Sequence, residues 1–273
     1  MSYSSIMVHL DLDQPNDARL QIAGELAGRF EARLIGIAAG VVQPLYFAEG
    51  AAAESFLEKD RAAIESRIAA CEAAFRAALK GHSQPLQWRS ALDRPGDYVA
   101  EQARAADLIV VAGHREWIDP LRQVDAGELA LTAGRPILVV PPGITRLGGQ
   151  KVLIAWKDTR EARRAVSDAL PMLHKATEVV VAEISERDAE RPGAKDRVAD
   201  VAAWLRQRGI PAASIATKAL IGVPEQIDII AQDEGADLIV AGAYGHSRLR
   251  EWIFGGVTHG LLSNSKRCVL LGH

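Results

Sequence analysis

Apolar residues along this chain recur with two alternating periods. In the second half, Ala162, Ala165, Val166, Ala169, Leu170 and Leu173 lie three and four positions apart, the spacing of one buried helix face. An apolar run over 151–156 precedes them. The Val-rich run Glu178–Ile184 follows, and it suits a strand buried on both faces. Val198, Val201, Ala202 and Leu205 mark a second helix, and residues 214–220 a third strand. Pro224 sits where a third helix would begin, a position that tolerates its missing N–H. Leu238–Val240 and Cys268–Leu271 complete the set as fourth and fifth strands. The first half follows the same plan with a longer second helix. Its stripe is Leu57, Ile64, Ile68, Cys71, Phe75 and Ala78, preceded by an alanine-rich loop expected over roughly 41–55.

The chain also repeats itself, which bears on the whole architecture. The sequence ADLIVVAG at 106–113 returns as ADLIVAG at 236–242. Each half opens on a strand-like run that ends in aspartate, Ile6 to Asp13 and Val152 to Asp158. Between them, PPGITRLGG at 141–149 has the Pro and Gly content of a linker. Two domains are therefore expected, 1–143 and 149–273. Strands that alternate with helices imply parallel sheets with right-handed crossovers. The expected fold class is α/β: two tandem five-stranded parallel open sheets in the order 3-2-1-4-5, flanked by helices. Such a sheet binds ligands at the switch point beyond the carboxyl ends of its first and fourth strands. In the second half the loops there begin at Asp158 and Gly242.

Composition narrows the function. Hydrophobic residues make up 48% and charged residues 25% of 273, enough to bury a core. The net charge of −3 offers no basic excess to neutralise a nucleic-acid backbone, so nucleic acid is not expected as a partner. No apolar stretch reaches the ~20 residues of a membrane span, and the first residues lack a charged-then-apolar secretion pattern. A cytoplasmic location with no membrane partner is expected. Cys71 and Cys268 form no C-x-x-C pair and read as core thiols. The seven histidines are scattered without metal-ligand spacing, so no protein metal site is expected.

The fourth strand of the second half runs into a glycine-rich segment. Gly242 and Gly245 allow sharp turns and close approach of backbone to a ligand. Gly255 and Gly256 precede a helix beginning near Val257. Free N–H groups at a helix start, together with its dipole, favour phosphate. Within this loop His246 and Arg248 either line a phosphate chain or face solvent. Trp252, Ile253 and Phe254 form an apolar cluster at its end. No G-x-G-x-x-G or G-x-x-x-x-G-K-[ST] pattern is present, which disfavours the dinucleotide and Walker-type readings.

Gly-x-x-Gly, nine residues, then Gly, a small residue and Val-Thr resembles the ATP-binding motif of the universal stress protein family. The likeness extends over both halves as a tandem. It implies that Gly242, Gly245, Gly255, Gly256 and Val257 surround the phosphates and ribose, and that Asp158 lies near the adenosine; Thr258, two residues beyond Gly256, either reaches the phosphates or falls short of them. It implies ATP or ADP as ligand, with Mg²⁺ arriving on the nucleotide, and a role in stress response. It also implies that the halves associate as a pseudo-dimer through their last strands, near Ile137–Val140 and Val269–Leu271.

Two departures stand out. The family motif has Ser or Thr where this chain has Gly256, and Trp156 and Lys157 precede Asp158. Trp156 either stacks on the base or fills its pocket. Lys157 either meets a phosphate or pairs with Asp158.

The first half departs further. The Gly-x-x-Gly is gone, and Asp119 and Glu128 would repel phosphate. No nucleotide is expected there, and Asp13 is left to cap a helix starting near Pro15.

The expected function is a regulatory nucleotide-binding protein acting on an unidentified protein partner. The alternative is a dimerisation scaffold whose glycine loop is a relic. Homodimers are compatible with either. No residue reads as a general base, so at most slow ATP hydrolysis is expected.

Overall fold

The computed structural model describes residues 2–42, 51–113, 119–186, 192–244 and 256–273, without the side chains of 51–53. The first half comprises β1 (Ser5–His9), α1 (Asp17–Phe30), β2 (Arg33–Ala39), α2 (Ala51–Ala78), β3 (Leu86–Ala91), α3 (Pro95–Gln102), β4 (Leu108–Ala112), α4 (Ala126–Thr132) and β5 (Ile137–Val140). The second comprises β6 (Lys151–Ala155), α5 (Arg160–Leu173), β7 (Glu178–Ser185), α6 (Ala194–Arg206), β8 (Ala212–Lys218), α7 (Val223–Asp233), β9 (Leu238–Gly242), α8 (Gly256–Asn264) and β10 (Cys268–Gly272).

Each half has the expected 3-2-1-4-5 strand order, and the strands within it are parallel. The two sheets are not separate. They join at β5 and β10 into one ten-stranded sheet ordered β3-β2-β1-β4-β5-β10-β9-β6-β7-β8. That junction is antiparallel, with Ile137, Leu138 and Val139 opposite Leu271, Leu270 and Val269. Every residue of both strands is buried. Left unpaired, each would expose an apolar edge, and pairing removes both edges at once.

Strand residues alternate between two apolar layers that run through both halves. Ile6, Val8, Val152 and Ile154 face the layer under α1, α2, α5 and α6. Met7, Ile109, Leu153 and Ile239 face the layer under α3, α4, α7 and α8. Polar contacts also cross between halves. The Tyr3 hydroxyl donates to the Asp168 backbone carbonyl on α5 at 2.7 Å, and Arg29 donates to the Leu147 carbonyl at 2.9 Å. The Tyr3 ring meets Phe30 edge-on at 5.1 Å, with the Lys175 ammonium 5.7 Å over the Phe30 ring. Burial raises the Tyr3 phenol pKa, and Asp168 and Asp107 add to it.

Three local expectations shift. The third strand of the second half is Ala212–Lys218, two residues earlier than predicted. Its register on β7, Val179↔Ala212 to Ser185↔Lys218, fixes it there. Leu220, the last residue of the expected strand, is 71% exposed. Helix α2 begins at Ala51, inside the alanine-rich stretch expected to be loop, as alanine's helix preference explains. Its buried stripe includes Ile64, Cys71 and Phe75, with Leu79 buried just past its end, whereas Ala78 is exposed.

The third shift concerns Asp13, which does not cap α1. The cap position is Asn16, whose side-chain oxygen accepts from the Asp11 N–H at 2.9 Å and from the buried Arg19 at 2.6 Å. Asp13 instead pairs with Arg67 at 2.5 Å and Arg122 at 3.8 Å.

Candidate functional site

In the second half β6 and β9 are neighbours, with Ala155 opposite Ala241. The segments following them therefore leave the sheet side by side at its carboxyl edge. After β6, the Trp156 N–H continues the ladder to the Ala182 carbonyl at 2.8 Å. Its side chain is 8% exposed and packs in the layer under α5 and α6. Trp156 thus fills core rather than standing open to a ligand. Lys157 pairs with Glu186 at 3.8 Å, and Asp158 pairs with Arg163 on α5 at 2.6 Å. Half of the Asp158 side chain remains exposed, so this carboxylate is reachable from the crevice. Thr159 caps α5 by accepting the Ala162 N–H at 3.3 Å.

At the end of β9 the glycine has a packing role. A Cβ on Gly242 would lie 2.6 Å from Ala162 N and 2.8 Å from Glu161 C. Gly272, its partner on β10, is under the same constraint, with a Cβ 2.5 Å from Ala165 Cα. The two glycines form the groove in which α5 lies on the sheet. Next, the Ala243 N–H donates to the Gly272 carbonyl at 2.8 Å, and the Ala243 carbonyl lies 2.9 Å from His273 Nδ1.

Tyr244 then takes a left-handed backbone, φ +56°. Its N–H donates to Thr258 Oγ1 at 3.4 Å. This contact draws the first turn of α8 to the carboxyl end of β9. Thr258 is buried, and its hydroxyl is occupied beneath the turn. Val257 is half-buried. Gly256, the first residue of α8, is exposed, and no described atom lies within 4 Å of where its Cβ would stand. Thus Asp158, Gly242, Gly256, Val257 and Thr258 gather at one end of the β6/β9 pair. Gly245, Gly255, His246, Arg248 and the cluster Trp252, Ile253 and Phe254 lie outside the described residues.

The corresponding place in the first half is arranged differently. The start of α4 is capped by Asp125, whose Oδ1 accepts the Gly127 N–H at 2.7 Å and the Glu128 N–H at 3.1 Å. A carboxylate of the chain itself occupies the position an anion would take. Asp119 accepts the Leu121 N–H at 3.0 Å and pairs with Arg122 at 3.7 Å.

The Tyr244 side chain of the second half closes over this same helix start. A Cβ on Gly127 would be 2.1 Å from the Tyr244 phenol oxygen. Burial pushes the Tyr244 phenol up to about 12, and the charges of Asp125 and Glu128 add to the rise. Sequence reasoning missed both residues. The pattern Asp125-x-x-Glu128 carries the spacing of a capping box and could have located the cap. Nothing in the sequence singles out Tyr244.

Elsewhere, Cys71 and Cys268 are buried thiols, as expected. Burial pushes the Cys268 thiol up to about 12, and Asp237 adds to the shift, so it is held as an unreactive thiol. No group of three or more metal-ligating side chains occurs among the described residues. No helix among them is long and apolar enough to cross a membrane.

Residues 149–271 match the model of the universal stress protein family. The C-terminal half belongs to the universal stress protein family. The universal stress protein MJ0577 of Methanocaldococcus jannaschii is 31% identical over 100 residues, which span 36% of this chain and 59% of that relative. Among solved structures, a universal stress protein from Archaeoglobus fulgidus superposes with a TM-score of 0.68 at 12% identity. That superposition covers 98% of this chain and 95% of the other. The protein PA1789 of Pseudomonas aeruginosa, of unknown function, superposes with a TM-score of 0.57 at 18% identity, over 99% and 92%. These two structures share the fold of this chain over nearly its whole length.

Proposed function

We propose that the C-terminal universal stress protein domain binds one adenine nucleotide, ATP or ADP with its Mg²⁺, and acts as a regulatory module toward a protein partner. One observation carries the reading. The Tyr244–Thr258 hydrogen bond at 3.4 Å brings the first turn of α8 to the carboxyl end of β9, and the half-exposed Asp158 follows the neighbouring strand β6. Helix N–H groups at such a start favour an anion, whereas the matching start of α4 is closed by Asp125. The reading therefore assigns one nucleotide per chain. Asp158, Gly242, Gly245, Gly255, Gly256, Val257 and Thr258 form its surroundings, and Gly242 and Thr258 shape the backbone. It includes no catalytic residue and no protein-held metal.

The scaffold reading also has an observation in its favour. The β5–β10 junction makes the chain its own dimer, so any homodimer between chains has to use another surface. The two readings separate at Gly256. A side chain there meets no described atom, and Gly256→Ser restores the motif's hydroxyl. We expect it to tighten Mg-ATP binding by about 1 kcal/mol, roughly fivefold, as measured by equilibrium dialysis. An unchanged or weaker Kd would mean that the phosphates do not sit at the start of α8.

A further inference from the structure

We propose that Tyr244 is a positioning residue that couples the nucleotide site of the C-terminal half to helix α4 of the N-terminal half, with Gly127 as its seat. The proposal rests on the nucleotide reading above and adds a regulatory input to it.

Tyr244 lies between Gly242 and Gly245 in the sequence, and its two ends are held by different halves. Its N–H is fixed by Thr258 on α8. Its ring reaches the start of α4, where the phenol oxygen and Cζ would be 2.1 Å and 3.2 Å from a Cβ at position 127. Its φ of +56° is a conformation that a tyrosine adopts only at a cost. Glycine would be the easier residue for this backbone, so the side chain must contribute something that glycine lacks. What the ring contributes here is the contact with α4. The contact is also exacting on the other side, because only a residue without Cβ leaves room for it. A shift of α4 therefore displaces the ring, and the ring's own backbone is tied to Thr258 in the first turn of α8. In the other direction, an anion held at the start of α8 favours one placement of the ring, through the Tyr244–Thr258 bond. The site and α4 are thus linked through one side chain, and the linkage is reciprocal.

A double-mutant cycle on the full chain tests this. Gly127→Ala places a methyl group where the phenol lies. Alanine favours helix over glycine, so α4 itself is not weakened. Calorimetric Mg-ATP titration of Gly127→Ala is expected to give a Kd at least tenfold weaker than that of the parent chain. Tyr244→Gly removes the ring and suits the backbone. In that background the same Gly127→Ala change is expected to alter Kd by less than twofold. Tyr244→Phe, which lacks only the nearest atom, is expected to recover much of the loss caused by Gly127→Ala.

An unchanged Kd in Gly127→Ala overturns the coupling. So does an equal loss with and without the ring, because the alanine would then be acting through the fold. If the parent chain binds no ATP at all, the nucleotide reading itself falls, and the coupling with it. The parent titration alone identifies that case.

Discussion

Replacing Gly245 by aspartate is expected to abolish nucleotide binding while leaving the fold intact. The substitution brings a Cβ and a negative charge into a loop assigned to hold phosphates. The charge alone opposes an anionic ligand, and the side chain removes the close backbone approach that glycine permits. A loss of at least ~100-fold in Kd, about 2.7 kcal/mol, should appear in calorimetry with Mg-ATP. The far-ultraviolet circular dichroism should match that of the parent chain. Unchanged affinity would remove Gly245 from the site.

The neighbouring glycine of the same motif should behave differently. Gly242→Ala is expected to destabilise the whole chain, because its methyl group would stand 2.6 Å from the backbone of α5. Overpacking of this kind costs about 1–3 kcal/mol, and each kcal/mol lowers Tm by roughly 2–4 °C in a chain of this size. The groove formed with Gly272 has no flexible side chain that could move aside. The opposing atoms are the Ala162 N and Cα and the Glu161 carbonyl carbon. A thermal scan showing an unchanged Tm would contradict the packing account. Loss of nucleotide binding in this variant would reflect a displaced β9–α5 contact, whereas Gly245→Asp reports on the ligand directly. Gly242 answers to packing, whereas Gly245 is expected to answer to the ligand.

The strand order and the position of the switch point were legible because local period and repetition fix them. Val-rich runs alternate with 3.6-period stripes, and the 106–113 segment returns at 236–242. Pairing of Ile137–Val140 with Val269–Leu271 came from the family resemblance. That it fuses two sheets into one depends on contacts between residues about 130 positions apart, which no local pattern encodes.

The site was legible in part. Glycine spacing anticipated the start of α8, but it could not distinguish a glycine that admits a ligand from one that admits a helix. Gly242 is of the second kind. Trp156 was ambiguous because an aromatic residue at a strand end suits either a base or a core, and the side-chain alternation of β6 placed it in the core with Val152 and Ile154. Asp13 resembled a cap by its position before α1, yet its partners, Arg67 and Arg122, lie far along the chain. The same is true of Tyr244, whose seat at Gly127 lies in the other half.

The central claim is that one half of this paired fold keeps a working nucleotide site. Isothermal titration of Mg-ATP into protein first stripped of carried-over nucleotide tests it most directly. The account predicts binding at about one site per chain with a micromolar Kd, about −8 kcal/mol. Absence of heat at millimolar ATP, from protein shown to be folded, would contradict it and leave the chain as a self-paired scaffold.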